Sequence, residues 1–135
     1  MNDMKDKFRL LHTMIRVMDM DKSVDFYTRH LGMKVLRRND FEGGRFTLCF
    51  IGYGDEESEA VVELTHNWDQ EEPYDHGNAF GHLAIAVPDA YAVCEQLEKE
   101  GVSVPRPAGP MKGGTRVIAF IEDPDGYKIE LVQRD

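Results

Sequence analysis

The sequence predicts an α+β fold built from two βαβββ modules, and three observations lead to it. A fixed offset of 70 residues maps His12 on His82, Val17 on Val87 and Asp19 on Asp89, so one unit occurs twice. Each half reads as a strand, a helix and three more strands, with the helix closed by a glycine (Gly32, Gly101). Alternation along the strands then puts apolar side chains on the helix-covered face of each sheet and leaves the opposite face for chemistry.

The first module opens with an apolar, β-branched run at residues 10–17. Asp19 and Asp21 offer caps for a helix at 23–31, where Val24, Tyr27 and Leu31 share a face at helical spacing. Strands follow at 33–38, 45–53 and 59–66, separated by the turn signals Glu42-Gly43-Gly44 and Gly54-Asp55. The second module repeats this order. A strand at 80–87 precedes a helix from Pro88-Asp89 to about residue 100, with Val93, Cys94 and Leu97 facing inward. Strands at 102–106, 116–122 and 127–133 complete it. Between the last two, Asp123-Pro124-Asp125-Gly126 has proline where φ near −65° is wanted and glycine where φ is positive. Residues 67–79 are polar, with one proline and one glycine, and read as the linker. The 135 residues thus read as one domain of two modules, 9–67 and 80–134.

Composition narrows the function. A net charge of −9 argues against nucleic acid, whose phosphates need a basic surface. Arg37 and Arg38 read as a solvated strand edge. No apolar stretch reaches the length of a membrane span. The charged start MNDMKDKF has no apolar signal core, and residues 1–8 read as a tail. Cys49 and Cys94, both in apolar runs, read as reduced, buried thiols of a cytoplasmic protein.

Parity on the strands selects a set of candidates. His12, Met14 and Arg16 share the face opposite Leu11, Thr13, Ile15 and Val17. Val61, Glu63 and Thr65 share a face that Asn67 continues. In the second module the same face holds His82 with Ala84 and Ala86, small enough to leave room for a ligand, and Lys128, Glu130 and Val132 on the last strand. His12 and Glu63 are 51 residues apart (63 − 12), and His82 and Glu130 are 48 apart (130 − 82). One imidazole and one carboxylate at matching points of each copy suit a four-ligand centre for a first-row divalent ion. Ligand type leaves nickel, cobalt, manganese, iron and zinc open. Taken singly, each of the four also fits a hydrogen-bonded or solvated strand residue.

The other candidates are weaker. His30, His66 and His76 read as structural or surface histidines. Residues 110–115 (PMKGGT) form either a mobile flap whose Lys112 captures an anionic group or a plain hairpin loop. Trp68 and Phe80 fit a pocket wall or ordinary aromatic packing.

The segments RLLHTMIRV, SVDFYTRHLGMKVLRR, AVVELTHNW, GHLAIAV, AGPMKGGT and VIAFIEDPDGYKIELV resemble the glyoxalase I family of the short bacterial type, within the vicinal oxygen chelate superfamily. The resemblance covers about residues 9–134. It implies paired βαβββ modules whose mixed sheets form a half-barrel site, with His12, Glu63, His82 and Glu130 as metal ligands. It implies nickel, with cobalt as substitute and zinc a poor one. Arg16 and Asn67 would hold the γ-glutamyl end of glutathione, and Lys112 would approach its glycyl carboxylate. The assembly implied is a homodimer in which His12 and Glu63 of one chain meet His82 and Glu130 of the other. One position departs from the longer eukaryotic type, which has an arginine four residues before the second histidine. Here it is Asn78, which shifts γ-glutamyl recognition toward Arg16.

The activity implied is that of a lactoylglutathione lyase, isomerising the methylglyoxal–glutathione hemithioacetal to S-lactoylglutathione through a metal-stabilised enediolate. Glu130 is the expected base, and Glu63 the symmetric carboxylate that could serve the other diastereomer. Three other classes share the fold. An iron dioxygenase wants two histidines and a single carboxylate, so Glu63 argues against it. An epimerase of a coenzyme A thioester would want a more basic surface. A drug-sequestering module needs no ligand quartet.

Overall fold

This computed structural model describes residues 2–134, and the chain divides into two units, Met1–Glu72 and Pro73–Asp135. The first unit contains α1 (Asn2–Lys5), β1 (His12–Arg16), α2 (Met20–Asp25), β2 (Lys34–Phe41), β3 (Phe46–Gly52) and β4 (Val61–Asn67). The second contains β5 (Leu83–Val87), α3 (Ala90–Lys99), β6 (Arg106–Pro110), β7 (Val117–Glu122) and β8 (Lys128–Gln133). The two sheets share one topology, β1-β4-β3-β2 and β5-β8-β7-β6. In each, the first and last strands of the module run parallel and the remaining pairs are antiparallel.

Local chemistry sets the helix limits. Asp19 has extended backbone, and its carboxylate accepts from the Lys22 amide at 3.1 Å, so α2 starts at Met20, three residues before the expected position. After Asp25 the helix widens into a π-turn over Phe26–His30, which buries Phe26 and Tyr27. Gly32 (φ +73°) ends it, its amide and that of Met33 donating to the carbonyls of Thr28 and Tyr27. In α3, Asp89 caps the Ala92 amide at 3.1 Å, and Gly101 (φ +87°) closes the helix. The inward face of α3 is Ala90, Cys94 and Leu97; Val93, expected inside, is only half-buried.

Two other expectations are corrected. The strand placed at 102–106 lies at Arg106–Pro110 instead. Val102 is buried, and residues 102–105 form the connection from α3, tied to the sheet by a hydrogen bond that the Glu122 N–H donates to the Ser103 carbonyl. Pro107 and Pro110 are tolerated in β6 because it is an edge strand, where a missing N–H costs little. The tail expected at 1–8 contains one helical turn, Asn2–Lys5, continued by bonds from Lys7 and Phe8 to Met4 and Lys5.

Strand parity is as expected in β1, β5 and β8, whereas in β4 Val61 and Thr65 of the expected site face are buried as well. In β1, Ile15 is buried while His12, Met14 and Arg16 are exposed. In β8, Ile129 and Leu131 are fully buried and flank Glu130. The helix-covered cores hold Val17, Tyr27, Cys49, Ile51 and Leu64 in the first unit and Leu97, Ala119, Ile121, Ile129 and Leu131 in the second. Cys49 and Cys94 are buried free thiols, and burial raises the pKa of each.

The connections before the last strands differ in length. Eight residues (53–60) separate β3 from β4, and five (123–127) separate β7 from β8. That difference of three accounts for the histidine–glutamate spacings of 51 and 48. The shorter turn is tightly specified: the Asp123 carboxylate accepts from the amides of Asp125 and Tyr127, both at 2.9 Å, and Gly126 sits at φ +85°.

Candidate metal centre

Each unit brings one histidine and one glutamate together. His12 begins β1 and Glu63 lies on the adjacent parallel strand β4, level with Met14. Their side chains meet at 2.9 Å, Nε2 to Oε1. His82 immediately precedes β5, and Glu130 on β8 is level with Ala84. Here Nε2 and Oε1 are 3.2 Å apart. In both units the glutamate sits two residues beyond the position level with the histidine and reaches back along the strand. The glutamates are largely covered, at 14% and 20% exposure, while the histidines remain open at 36% and 38%. Water or a ligand can reach the imidazoles without unfolding the carboxylate environment.

A phenylalanine completes each pair. Phe50 is in register with Glu63 and meets the His12 ring edge-on at 5.2 Å. Phe120 is in register with Glu130 and meets His82 edge-on at 5.0 Å. These contacts limit rotation of the imidazoles. Sequence reasoning did not single out either phenylalanine, although the offset of 70 relates them.

The donor geometry fits a divalent cation. Two cis donors at about 2.1 Å from an octahedral ion stand about 3.0 Å apart, and the two pairs are spaced at 2.9 and 3.2 Å. Nitrogen and carboxylate donors suit nickel, cobalt, manganese, iron or zinc. Among the described residues no cluster of three or more histidine, cysteine, aspartate or glutamate side chains forms; each unit presents one histidine–glutamate pair.

The surroundings of the two pairs differ. The Thr65 hydroxyl donates to Glu63 Oε2 at 3.3 Å. The Arg37 guanidinium lies 3.8 Å from the centre of the Phe50 ring, and Glu56 grips it at 2.9 Å. Hydrogen bonds to Glu56, aided by the charges of Glu56 and Glu63 and opposed by burial, hold the Arg37 pKa above its ordinary value. Arg37 and Arg38 lie exposed on edge strand β2, as expected, but both are paired: Arg37 with Glu56 over the Phe50 ring, and Arg38 with Asp21 at 2.8 Å.

Arg16 lies on the exposed site face of β1, and Asn67 ends β4 on the parity of Glu63. Lys112 is exposed in the β6–β7 hairpin, where the Met111 amide bonds the Arg116 carbonyl at 2.9 Å. Asn78 is exposed in the segment leading to His82. Beside β5, a depression of about 420 Å³ is lined by Ala84, Ile85, Ala86, Val132 and Arg134. The remaining histidines have structural contacts: His66 Nδ1 is 3.2 Å from the Val17 carbonyl, His76 stacks on Tyr127 at 4.0 Å, and His30 meets Phe26. The Trp68 indole donates to Thr47 Oγ1 at 2.9 Å, and Phe80 packs edge-on against Tyr127.

Residues 9–131 match the family model of the Glyoxalase/Bleomycin resistance protein/Dioxygenase superfamily. The chain is 63% identical over 126 residues to a lactoylglutathione lyase of Neisseria meningitidis serogroup A, covering 93% of this chain and 91% of that protein. It is 54% identical over 125 residues to a lactoylglutathione lyase of Escherichia coli O157:H7, covering 93% and 92%. Among solved structures it superposes on glyoxalase I of Zea mays with a TM-score of 0.88 and 45% identity, covering 93% of this chain but only 44% of the maize chain. It also superposes on the trypanothione-dependent glyoxalase I of Leishmania major with a TM-score of 0.84 and 45% identity, covering 94% and 87%.

Proposed function

From a chain that belongs to the glyoxalase/bleomycin resistance protein/dioxygenase superfamily, we propose a lactoylglutathione lyase that converts the methylglyoxal–glutathione hemithioacetal to S-lactoylglutathione and so detoxifies methylglyoxal. The observation that supports it best is the pair of matched histidine–glutamate contacts, His12 with Glu63 and His82 with Glu130. They accompany 54–63% identity to lactoylglutathione lyases.

His12, Glu63, His82 and Glu130 would hold one divalent cation, nickel or cobalt in preference to zinc. When bound, it supplies Lewis-acid stabilisation of negative charge developing on the two vicinal oxygens of the substrate. Glu130 removes the proton from C1 of the hemithioacetal and delivers it to C2. The C1–H bond breaks, a C2–H bond forms, and the hydroxyl proton passes from the C1 oxygen to the C2 oxygen. The product is an isomer of the substrate, and no redox cofactor is consumed. Glu63 would remain a ligand and would serve as base for the opposite diastereomer. Arg16 and Asn67 bind the γ-glutamyl end of glutathione, and Lys112 on its hairpin meets the glycyl carboxylate.

The 135 residues act as one domain of two modules, and the working assembly is a homodimer. In each site His12 and Glu63 come from one chain and His82 and Glu130 from the other. Phe8, Leu10 and Leu11, exposed at 72%, 71% and 56% just before edge strand β1, support such pairing. So does the length of the maize chain, which accommodates two spans of this size. No helix among the described residues is long and apolar enough to cross a membrane, and the acidic net charge of −9 disfavours nucleic acid. The cytoplasm is the proposed location.

The test is metal-stripped protein given methylglyoxal and glutathione, with nickel, cobalt, manganese and zinc added separately. Thioester formation is followed by absorbance. Nickel and cobalt are expected to restore turnover, with zinc restoring much less. Turnover by the stripped protein equal to that with nickel would exclude the proposal.

A further inference from the structure

The two repeats carry the same histidine, glutamate and phenylalanine, but the groups behind them are not repeated. On the first unit's site face, Thr65 Oγ1 donates to Glu63 Oε2 at 3.3 Å, so Glu63 is held on one oxygen by Thr65 while the other faces His12. The offset between the glutamates is 67 residues (130 − 63), and the same offset puts Val132 where Thr65 stands. A valine has the shape of threonine and no hydroxyl, so Glu130 receives no such bond from that position.

A second difference lies behind the phenylalanines. Each is in register with an arginine of the edge strand, Phe50 with Arg37 and Phe120 with Arg106. Arg106 spends its guanidinium on backbone, donating to the carbonyls of Pro107, Gly109, Ile118 and Pro110 at 2.9–3.0 Å. Arg37 instead lies over the Phe50 ring, its Cζ 3.8 Å from the ring centre, held there by Glu56. Glu56 belongs to the 53–60 connection, which is three residues longer than its counterpart. The Glu56 carbonyl also accepts from Arg9 at 2.6 Å, three residues before His12. The added length therefore serves as a brace running from Glu56 through Arg37 and Phe50 to the His12 ring.

We propose that Thr65 and Arg37 are positioning residues that lock His12 and Glu63 as the fixed half of the metal centre, and that Val132 leaves Glu130 free to leave the cation and move the proton. The assignment deepens the function proposed above and rests on it for the role of Glu130. It gives a physical reason for two carboxylates of the same type and register to take different roles. One has a hydroxyl tether and a braced neighbour; the other has neither.

The test exchanges the near-isosteric pair. Thr65→Val releases Glu63 and is expected to raise the nickel Kd about tenfold, read by competition with a chromophoric chelator. Val132→Thr tethers Glu130 and is expected to lower kcat about tenfold, with KM unchanged and nickel Kd unchanged or tighter. Arg37→Met removes the cation and keeps an apolar stem. In the metal-free protein, about two pH units above the ordinary imidazole value, it is expected to shift and broaden the His12 ring proton signals and leave those of His82 in place. Glu56→Gln weakens the same brace without altering Arg37, and is the substitute if Arg37→Met does not fold. An unchanged nickel Kd in Thr65→Val, with kcat also unchanged in Val132→Thr, would overturn the tether. Equal movement of the His12 and His82 signals would overturn the brace. Nickel affinity and metal-free spectra are read without turnover, so a failed lyase assay with these shifts present would sink the proposed reaction alone.

Discussion

Phe50 stands directly across the β3–β4 ladder from Glu63, and its edge-on ring contact with His12 makes it the third member of that cluster. Phe120, Glu130 and His82 repeat that arrangement in the second unit. The proposed metal binding and proton transfer can be tested separately because the two copies share a histidine, a glutamate and a phenylalanine and differ in what surrounds them.

Glu130→Gln keeps the side-chain shape and a ligating oxygen but abolishes the basic carboxylate. At saturating nickel, kcat is expected to fall by about 10²–10⁴-fold, the usual worth of a positioned general base. Glu63→Gln is expected to weaken nickel binding more than it lowers kcat at saturation. Near-full turnover by Glu130→Gln with bound nickel would remove Glu130 from the role of base.

Arg16→Ala and Lys112→Ala are expected to lower kcat/KM by about tenfold or more, since under the proposed function each removes a charge-assisted contact to glutathione. The Lys112 effect should vanish when the glycyl carboxylate of glutathione is esterified, whereas the Arg16 effect should persist. Equal sensitivity of both variants to the ester would show that Lys112 does not meet that carboxylate.

Asp123→Ala is expected to destabilise the protein by about 1–3 kcal/mol, because a buried carboxylate that satisfies the amides of Asp125 and Tyr127 is lost. β8 starts at Lys128, so loss of the turn should also loosen Glu130. Denaturant titration measures the first effect and nickel affinity the second. An unchanged midpoint would mean that water replaces the carboxylate without cost.

Burial raises the thiol pKa of Cys49 and Cys94 above the unfolded value. The stability this represents is whole below the ordinary thiol pKa of about 8.5. It is lost as pH rises toward the elevated native value, because the unfolded chain ionises first. Chemical denaturation at about pH 7.5 and about pH 9.5 should show the loss. The double variant Cys49→Ala/Cys94→Ala should lose that part of the slope. An identical pH slope in the double variant would assign it to other groups.

Much of the fold was legible because the repeat, the parity of β1, β5 and β8, and the caps at Asp19 and Asp89 are local signals that burial then obeys. The position of β6 was not legible. Val102 and Val104 have strand character and Pro107 argues against it, but Pro107 lies on an edge strand, and which strand is the edge depends on sheet order. The π-turn at Phe26–His30 was missed for a similar reason: it forms where Phe26 and Tyr27 are buried against the sheet.

The sequence by itself determined the four side chains of the candidate centre and the face they occupy, because alternation along a strand is fixed by backbone geometry. Only the tertiary structure decided which groups stand behind them. Glu56 holding Arg37 on Phe50, and Phe50 standing level with Glu63, depend on strand register and on the path of the 53–60 connection. Those are contacts across neighbouring strands and loops, and residue spacing along the chain carries no record of them until the sheet has formed.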